Sequence, residues 1–115
     1  MSNPPPPATT AAMRELLTES RQRRSQPGED PWPPLEAAHI LSQPWARWHL
    51  RTHTAMLALA TRQRDLHEII GQLIRLAVAA PGSLTGRYPT GNTGRTTMKL
   101  TETAPIPPEL TDLLP

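Results

Sequence analysis

Three histidines in the middle of this chain, His39, His49 and His53, could bind one metal ion together. His49 and His53 are four residues apart, a spacing that places both side chains on one face of a helix. His39 could add a third nitrogen from a preceding helix, and Met56 a soft sulfur ligand that suits copper. The set predicts a Zn²⁺ or copper site. The alternative is structural, since histidines beside an apolar stripe also pack and hydrogen-bond inside helical cores.

A second candidate site is the Gly-rich loop predicted over residues 81–95, with the sequence PGSLTGRYPTGNTGR. Successive backbone amides in such turns can form an anion-binding nest, and arginine adds a two-pronged donor. The candidate anion-binding residues are Arg87, Gly91, Asn92, Gly94 and Arg95. The Gly-Lys-Ser/Thr ending of a phosphate-binding P-loop is absent. The alternative is a structural strap whose arginines bond the carbonyl ends of helices.

Other catalytic chemistry finds little support in the residue types. The chain has no cysteine, which excludes disulfides, thiolate metal sites and cysteine nucleophiles. Ser83 does not lie in the Gly-x-Ser-x-Gly sequence of a nucleophile elbow, and no pair of carboxylates lies at helical spacing near the histidines. We therefore predict no catalytic residues. An enzyme activity would need a metal ion with an open coordination position.

Composition restricts the expected partners and location of the protein. The net charge is +2 and no block of five like charges occurs, so we expect no nucleic-acid partner. No apolar stretch is long enough to span a membrane, and the start, MSNPPPPATTAAM, lacks the basic and apolar regions of a signal peptide. Together with the absence of cysteine, these features predict a cytoplasmic protein without membrane contact.

Hydrophobic periodicity predicts an all-α fold built on a long helical hairpin, Trp45–Ala80. The short turn between its helices makes them antiparallel neighbours. Asp65 and Glu68 have the spacing of a capping box, in which the aspartate caps the second helix and the glutamate reaches back. An apolar stripe centred on Leu73 is predicted to face the core, and Pro81–Gly82 to end the helix. The stripe consists of Leu66, Ile69, Ile70, Leu73, Leu76, Ala77 and Ala80.

The N-terminal segment is predicted to be largely disordered, whereas the rest of the chain is predicted to fold. Residues 1–30 are predicted to form a Pro-rich, largely disordered segment with a marginal helix. Few apolar residues are available there to offset the entropy lost when the segment becomes ordered. Residues 31–115 read as the helical domain, in which a short helix over residues 34–41 precedes the hairpin. After the Gly-rich loop, a Pro-rich turn over residues 108–114 is predicted to dock its leucines on the core.

Five stretches of the sequence resemble the bacterial domain-of-unknown-function family 3703. They are LEAAHILSQP, HLRTHTAML, IIGQLIRLA, PGSLTGRYPTGNTGR and PIPPEL, which together cover about Leu35–Leu114. The resemblance implies a small helical bacterial protein and brings no established reaction. The positions that match the family's motifs are His39, His49, His53, Gly71, Gln72, Arg87, Gly91, Asn92, Gly94 and Arg95. Ser42 departs from the pattern, in which a glycine follows the leucine. A looser likeness links the hairpin to a single tetratricopeptide unit.

The sequence supports three hypotheses about function. The first is a small metal-binding protein, a carrier or sensor accessory, that uses His39, His49 and His53. The second is a non-catalytic interaction module that binds a protein partner, or a second copy of itself, through the hairpin. The third is an anion or cofactor binder that uses the GNTGR loop.

Overall fold

Four α-helices and a closing 3₁₀ turn form the structure, a computed structural model that describes residues 3–115. The helices are α1, Pro7–Arg24; α2, Trp32–Ser42; α3, Ala46–Arg62; and α4, Leu66–Thr85; the 3₁₀ turn is Pro108–Leu113. Residues 3–115 contain no β-strand, so the all-α prediction is confirmed. None of the helices in this part of the chain combines the length and the hydropathy needed to cross a bilayer.

The N-terminal helix α1 is longer and more firmly packed than the marginal helix predicted for residues 1–30. Its inner face carries Met13, which is fully buried, and Leu17. The Thr9 hydroxyl donates to the Leu113 carbonyl at 2.6 Å, and the Ser20 hydroxyl donates to the Pro31 carbonyl at 2.8 Å. The apolar face of α1 is narrow, and it becomes stable because distant segments of the chain cover it.

The hydrophobic core consists of two adjoining clusters. The first lies between α1, α2 and α3 and contains Leu17, Trp32, Leu35, Ala38, Met56, Leu59 and Ala60. The second joins α1 and α2 to the C-terminal turn and contains Met13, Ile40, Leu41 and Leu110. Leu113 and Leu114 pack against this second cluster, which confirms the predicted docking of the C-terminal turn.

Helices α3 and α4 are antiparallel, since the first turns of α3 meet the last turns of α4. His49 contacts Ser83, whereas His53, one turn later, contacts Gln72. The predicted cap of α4 is confirmed, because the Asp65 carboxylate accepts the backbone N–H of Glu68 at 3.1 Å. The second half of the predicted capping box is wrong. The Glu68 side chain does not reach back but turns inward and is buried.

Helix α4 continues past the predicted stop at Pro81 and ends at Thr85. Pro81 lies on the exposed side of the helix, where water can serve the carbonyl that the missing proline N–H leaves unpaired. Gly86 then ends the helix in the left-handed conformation, with φ 72°, as is usual for a glycine after a helix. The Gly-rich loop predicted for residues 81–95 therefore begins at residue 86.

The predicted buried stripe of α4 is wrong for Leu66, Ile70, Leu73 and Ala77, which are exposed, whereas Ile69 packs against the first core cluster as predicted. Leu73, expected at the centre of the buried stripe, is 53% exposed, and its apolar neighbours Leu66, Ile70 and Ile74 are exposed as well. The buried side of the helix is largely polar and consists of Glu68, Gly71, Gln72, Arg75, Ala79 and Ser83. Helix α4 thus turns hydrogen-bonding groups, rather than its leucines, toward α3 and the histidines.

Candidate metal centre

The three predicted histidines meet inside the protein. His39 comes from α2, and His49 and His53 come from successive turns of α3; their exposed fractions are 3%, 5% and 2%. Their Nε2 atoms form a small triangle. The distances are 3.0 Å from His39 to His53, 3.0 Å from His39 to His49 and 3.2 Å from His49 to His53. This is the one group of metal-ligating side chains of three or more in residues 3–115.

The other ring nitrogen of each histidine has a separate hydrogen-bond partner. These Nδ1 contacts are His39 to the Asn92 carbonyl at 2.7 Å, His49 to the Ser83 hydroxyl at 2.9 Å, and His53 to Gln72 Oε1 at 2.7 Å. The partners come from α4 and from the loop that follows it. They fix the ring orientations in the way that partners of ligating histidines commonly do.

Two of these partners reveal where the ring protons lie. The Asn92 carbonyl can only accept, so Nδ1 of His39 donates to it. The Ser83 hydroxyl uses its only proton on the Gln43 carbonyl, at 2.6 Å. It therefore accepts from His49, whose Nδ1 also carries a proton.

Gln72 fixes the proton of the third ring. Its amide nitrogen donates to the Glu68 carboxylate at 2.8 Å and to the Gly94 carbonyl at 2.9 Å, both of which are acceptors only. This orientation turns the amide oxygen toward His53, so that His53 also donates from Nδ1. In all three neutral rings, Nε2 is consequently an unprotonated nitrogen that presents a lone pair to the other two.

Three lone pairs at this distance repel one another unless a cation lies among them. A tetrahedral Zn²⁺ ion with ordinary Zn–N bonds holds its nitrogens about 3.3 Å apart. The observed separations of 3.0 to 3.2 Å approach that value, so a small expansion of the triangle admits the ion. The residues present therefore fit a transition-metal ion with three nitrogen ligands and a fourth position left open.

Burial keeps the rings in the neutral form that metal binding requires. Removal from water lowers the pKa of His49 to about 3 and that of His53 to about 4, and it lowers the pKa of His39 well below 6.5. The neighbouring histidines lower the pKa of His39 and of His49 further, because a second positive charge in the cluster is unfavourable. At neutral pH all three rings are thus uncharged and able to ligate.

The buried carboxylate of Glu68 is connected to the histidines through Gln72. Glu68 accepts from the Gln72 amide at 2.8 Å and from the Thr96 hydroxyl at 2.9 Å, and the Arg95 guanidinium lies 3.4 Å away. Gly71 leaves the space in which the Thr96 side chain packs, since a Cβ there would collide with it. Glu68 and Gln72 are four residues apart on the polar face of α4, and this spacing is the one signal in the sequence that indicates a polar, buried side of the helix.

The GNTGR loop packs against the histidines and uses its polar groups internally. The Asn92 side chain donates to the Lys99 and Glu102 carbonyls and accepts the Gly94 N–H at 2.8 Å. Gly94 has φ +86° and lies against the His39 ring, where a Cβ would come within 2.6 Å of Cδ2. Of the predicted anion-binding residues, Asn92 and Gly94 are therefore buried parts of the wall around the histidines, whereas Gly91 is buried against Ala104.

The two arginines of the predicted anion site lie in different surroundings. Arg95 pairs with Glu68, and its guanidinium carbon lies 3.9 Å from the centre of the Trp32 ring. Arg87 is exposed and lines a cavity beside the histidines. The two arginines thus have different neighbours, and an anion site that uses both stays a prediction.

Met56, predicted as a fourth ligand, is fully buried in the first core cluster among Trp32, Leu35 and Leu59. Apolar packing accounts for this burial without a metal ion. The three histidines form the group of converging ligands, and ligation by Met56 stays a prediction.

A cavity of about 270 Å³ adjoins the histidine triangle. All three rings line it, together with buried Arg75 and exposed Arg87 and Leu100, so the cavity connects the triangle with the protein surface. A small molecule can thus reach the histidine rings from the surface.

Fold and site together define a small all-helical protein with a buried three-histidine centre. The model of the family described as "Protein of unknown function (DUF3703)" matches residues 7–114, and the chain belongs to this family. The match confirms the resemblance found in the sequence and extends it to α1. No curated protein and no solved structure shows a significant match to the chain.

Proposed function

We propose that the protein binds one transition-metal ion, Zn²⁺ or a copper ion, through Nε2 of His39, His49 and His53. The observation that carries the proposal is the fixed arrangement of protons: each Nδ1 donates outward, and three bare nitrogens converge. Imidazole ligands suit both metals. The chain has no cysteine to offer a competing thiolate site.

The surroundings of the triangle favour an ion that stays bound. The three ligands are almost fully buried, and each is fixed by a hydrogen bond to a different segment of the chain. Removing the ion would leave three repelling lone pairs in the interior. The metal therefore has a resident role, and the carrier or sensor accessory expected from the sequence would need the loop to open.

We further propose that residues 86–104 act as a strap over the metal centre. Asn92 and Gly94 contact His39 and Gln72, and Ala104 donates its N–H to the Thr90 carbonyl at 3.1 Å, which closes the loop on itself. Because these polar groups of the loop are bonded within the protein, the contacts favour the strap over anion binding through GNTGR. The tetratricopeptide likeness stays a prediction.

Metal uptake by protein made without a histidine tag tests the main proposal. We expect calorimetry at neutral pH to give one bound Zn²⁺ or copper ion per chain. A hundredfold excess of ion over its Kd should stabilise the fold by about 2.7 kcal/mol. Replacing His53→Gln should weaken binding by at least about a hundredfold, because it removes one of three nitrogen ligands.

The matched control is His67→Gln, which changes the exposed histidine of α4 and should leave metal affinity unchanged. Circular dichroism shows whether the variants fold. Wild-type protein that gives neither binding heat nor a shift in melting temperature with Zn²⁺ or copper ions would show that the histidines are structural.

A second candidate function, self-association, is favoured by the outward side of α4. We define the α4 outer face by its exposed apolar residues Leu66, Ile70, Leu73, Ile74, Ala77, Val78 and Leu84. Its six large side chains are between 44% and 67% exposed. No exposed residue of α4 is an aspartate, glutamate, lysine or arginine, so the face offers no charge to a charged partner.

The spacing of the α4 outer face matches a helix of the same kind. Leu66, Ile70, Leu73 and Ala77 follow the alternating steps of four and three residues that form a helix–helix seam, and Leu84 lies seven residues, one full repeat, after Ala77. An uncharged seam is complementary to itself, and a twofold dimer places the same patch on both subunits. We therefore propose a second copy of the chain as the occupant.

Measurement of molar mass in solution tests this second proposal. Wild-type protein should sediment and scatter light as a dimer of the 12.7 kDa chain at micromolar concentration. Ile70→Glu should shift it to monomer, since burial of a charge in the seam is costly. The control Ala58→Glu adds the same charge at an exposed position of α3 and should leave the dimer intact. A wild-type protein that is monomeric at every concentration would refute the proposal.

A further inference from the structure

The cavity beside the histidine triangle has a charge pattern that selects its ligand. Two arginines line it, whereas its lining within residues 3–115 includes no aspartate or glutamate. Arg75 is 8% exposed and donates to the Gly71 carbonyl at 3.2 Å and the Met98 carbonyl at 2.9 Å. These uncharged partners hold the guanidinium in place, and the negative charge that acts on it is that of Glu68.

The nearest buried carboxylate does not balance the charge of a bound ion. The single negative charge of Glu68 already serves two guanidinium groups, those of Arg95, 3.4 Å away, and Arg75, and Glu68 accepts from Gln72 and Thr96. Three neutral imidazoles bring no negative charge to a divalent ion. An occupied centre therefore has a positive excess in a poorly hydrated interior, and an anion at the open coordination position would relieve it.

The cavity walls also favour an apolar body on that anion. Val78, Ala79, Pro89 and Leu100 line the space next to the rings. The volume of about 270 Å³ is below the range of cavities that hold drug-sized molecules, so the ligand is small. A hydrated inorganic anion would leave these walls without a partner.

We propose that the open coordination position takes a short-chain monocarboxylate, with an oxygen on the metal ion and its alkyl chain against the apolar wall. This inference rests on the proposed metal function and specifies what the centre binds. Arg75 stabilises the negative charge from the buried side of the cavity. Arg87 attracts the carboxylate from the exposed side.

Visible absorption of the tag-free protein loaded with Co²⁺ tests the inference, because the spectrum of this ion responds to changes in its ligands. Butyrate should alter the spectrum at about one-tenth of the acetate concentration, the gain expected from burying two further methylenes. Butan-1-ol, which has the same chain length without the charge, should leave the spectrum unchanged. Arg87→Gln should weaken butyrate binding at least about threefold and leave Co²⁺ affinity unchanged.

Arg47→Gln is the matched control, since Arg47 is exposed on α3 and does not line this cavity. A Co²⁺ spectrum that butyrate leaves unchanged would overturn the inference while the metal centre stands. Equal responses to acetate and butyrate would overturn the role of the apolar wall. Protein that takes up neither Zn²⁺ nor Co²⁺ would overturn the metal proposal itself.

Discussion

Metal-free protein should lose stability steeply when the pH falls from about 6.5 toward 4. In the unfolded chain the three core histidines bind protons below their ordinary pKa of 6.5. In the folded protein burial keeps them neutral, with the pKa of His53 at about 4 and that of His49 at about 3. The unfolded state therefore binds more protons, and stability is present above pH 6.5 and is lost below it.

The expected slope is large because three groups act together. Each lowered pKa contributes on the order of 1 kcal/mol per pH unit, so the three contribute on the order of 3 to 4 kcal/mol per unit. A small domain has total stability of roughly 5 to 15 kcal/mol, so a fall of two pH units should unfold much of the protein. Urea unfolding in the presence of a chelator at several pH values gives the slope directly.

Two variants make this measurement specific to the buried histidines. The double change His49→Gln and His53→Gln should flatten the dependence, since two of the three titrating groups are gone. His67→Gln changes a histidine outside the buried cluster, whose ring contacts the Thr96 hydroxyl at 3.2 Å, and should leave the steep pH dependence in place. Equal stability of wild type at pH 6.5 and pH 4.5 would contradict the neutral, buried cluster.

Replacement of Gly94 by alanine should damage both the fold and the metal centre. The residue has φ +86°, which an L-amino acid adopts at a cost of roughly 1 to 2 kcal/mol. Its new Cβ would also lie within 2.6 Å of the His39 ring, and relief of that overlap must move a ligand or the strap. We expect a total loss of about 3 kcal/mol or more and at least a tenfold weaker Zn²⁺ affinity.

Gly28→Ala is the control that separates backbone strain from collision. Gly28 has φ +82°, close to that of Gly94, yet no atom lies within 4 Å of a Cβ built on it. It should show the strain cost alone, with unchanged Zn²⁺ affinity. Thermal melting and calorimetry on both variants give the comparison. A Gly94→Ala protein that binds Zn²⁺ as tightly as Gly28→Ala would show that the strap does not hold His39 in place.

Local sequence rules were sufficient for several elements of the fold. The helical spacing of His49 and His53 places them on one face of α3, and Asp65 caps α4 as its position predicts. The meeting of His39 with that pair also agrees with the sequence, because a short connection brings α2 next to α3. These features depend on residues that are close together in the chain, where helix geometry alone determines which side chains meet.

Helix α4 shows where the local rules fail. Its hydrophobic periodicity is strong, and the apolar side was therefore predicted to face the core. In the structure, Gln72 and Ser83 face the histidines instead, and Leu73 faces solvent. Buried ring N–H groups need acceptors, and α4 supplies two of the three, a requirement that outweighs the gain from burying another leucine.

The sequence by itself therefore determined the helical composition of the protein and its three candidate metal ligands. Only the tertiary structure decided the state of those ligands. The partner of His39 is 53 residues away in the chain, that of His49 is 34 and that of His53 is 19. Contacts over such distances depend on how whole segments pack, which spacing within one helix cannot predict. They orient the rings, assign their protons and leave three bare nitrogens facing one another.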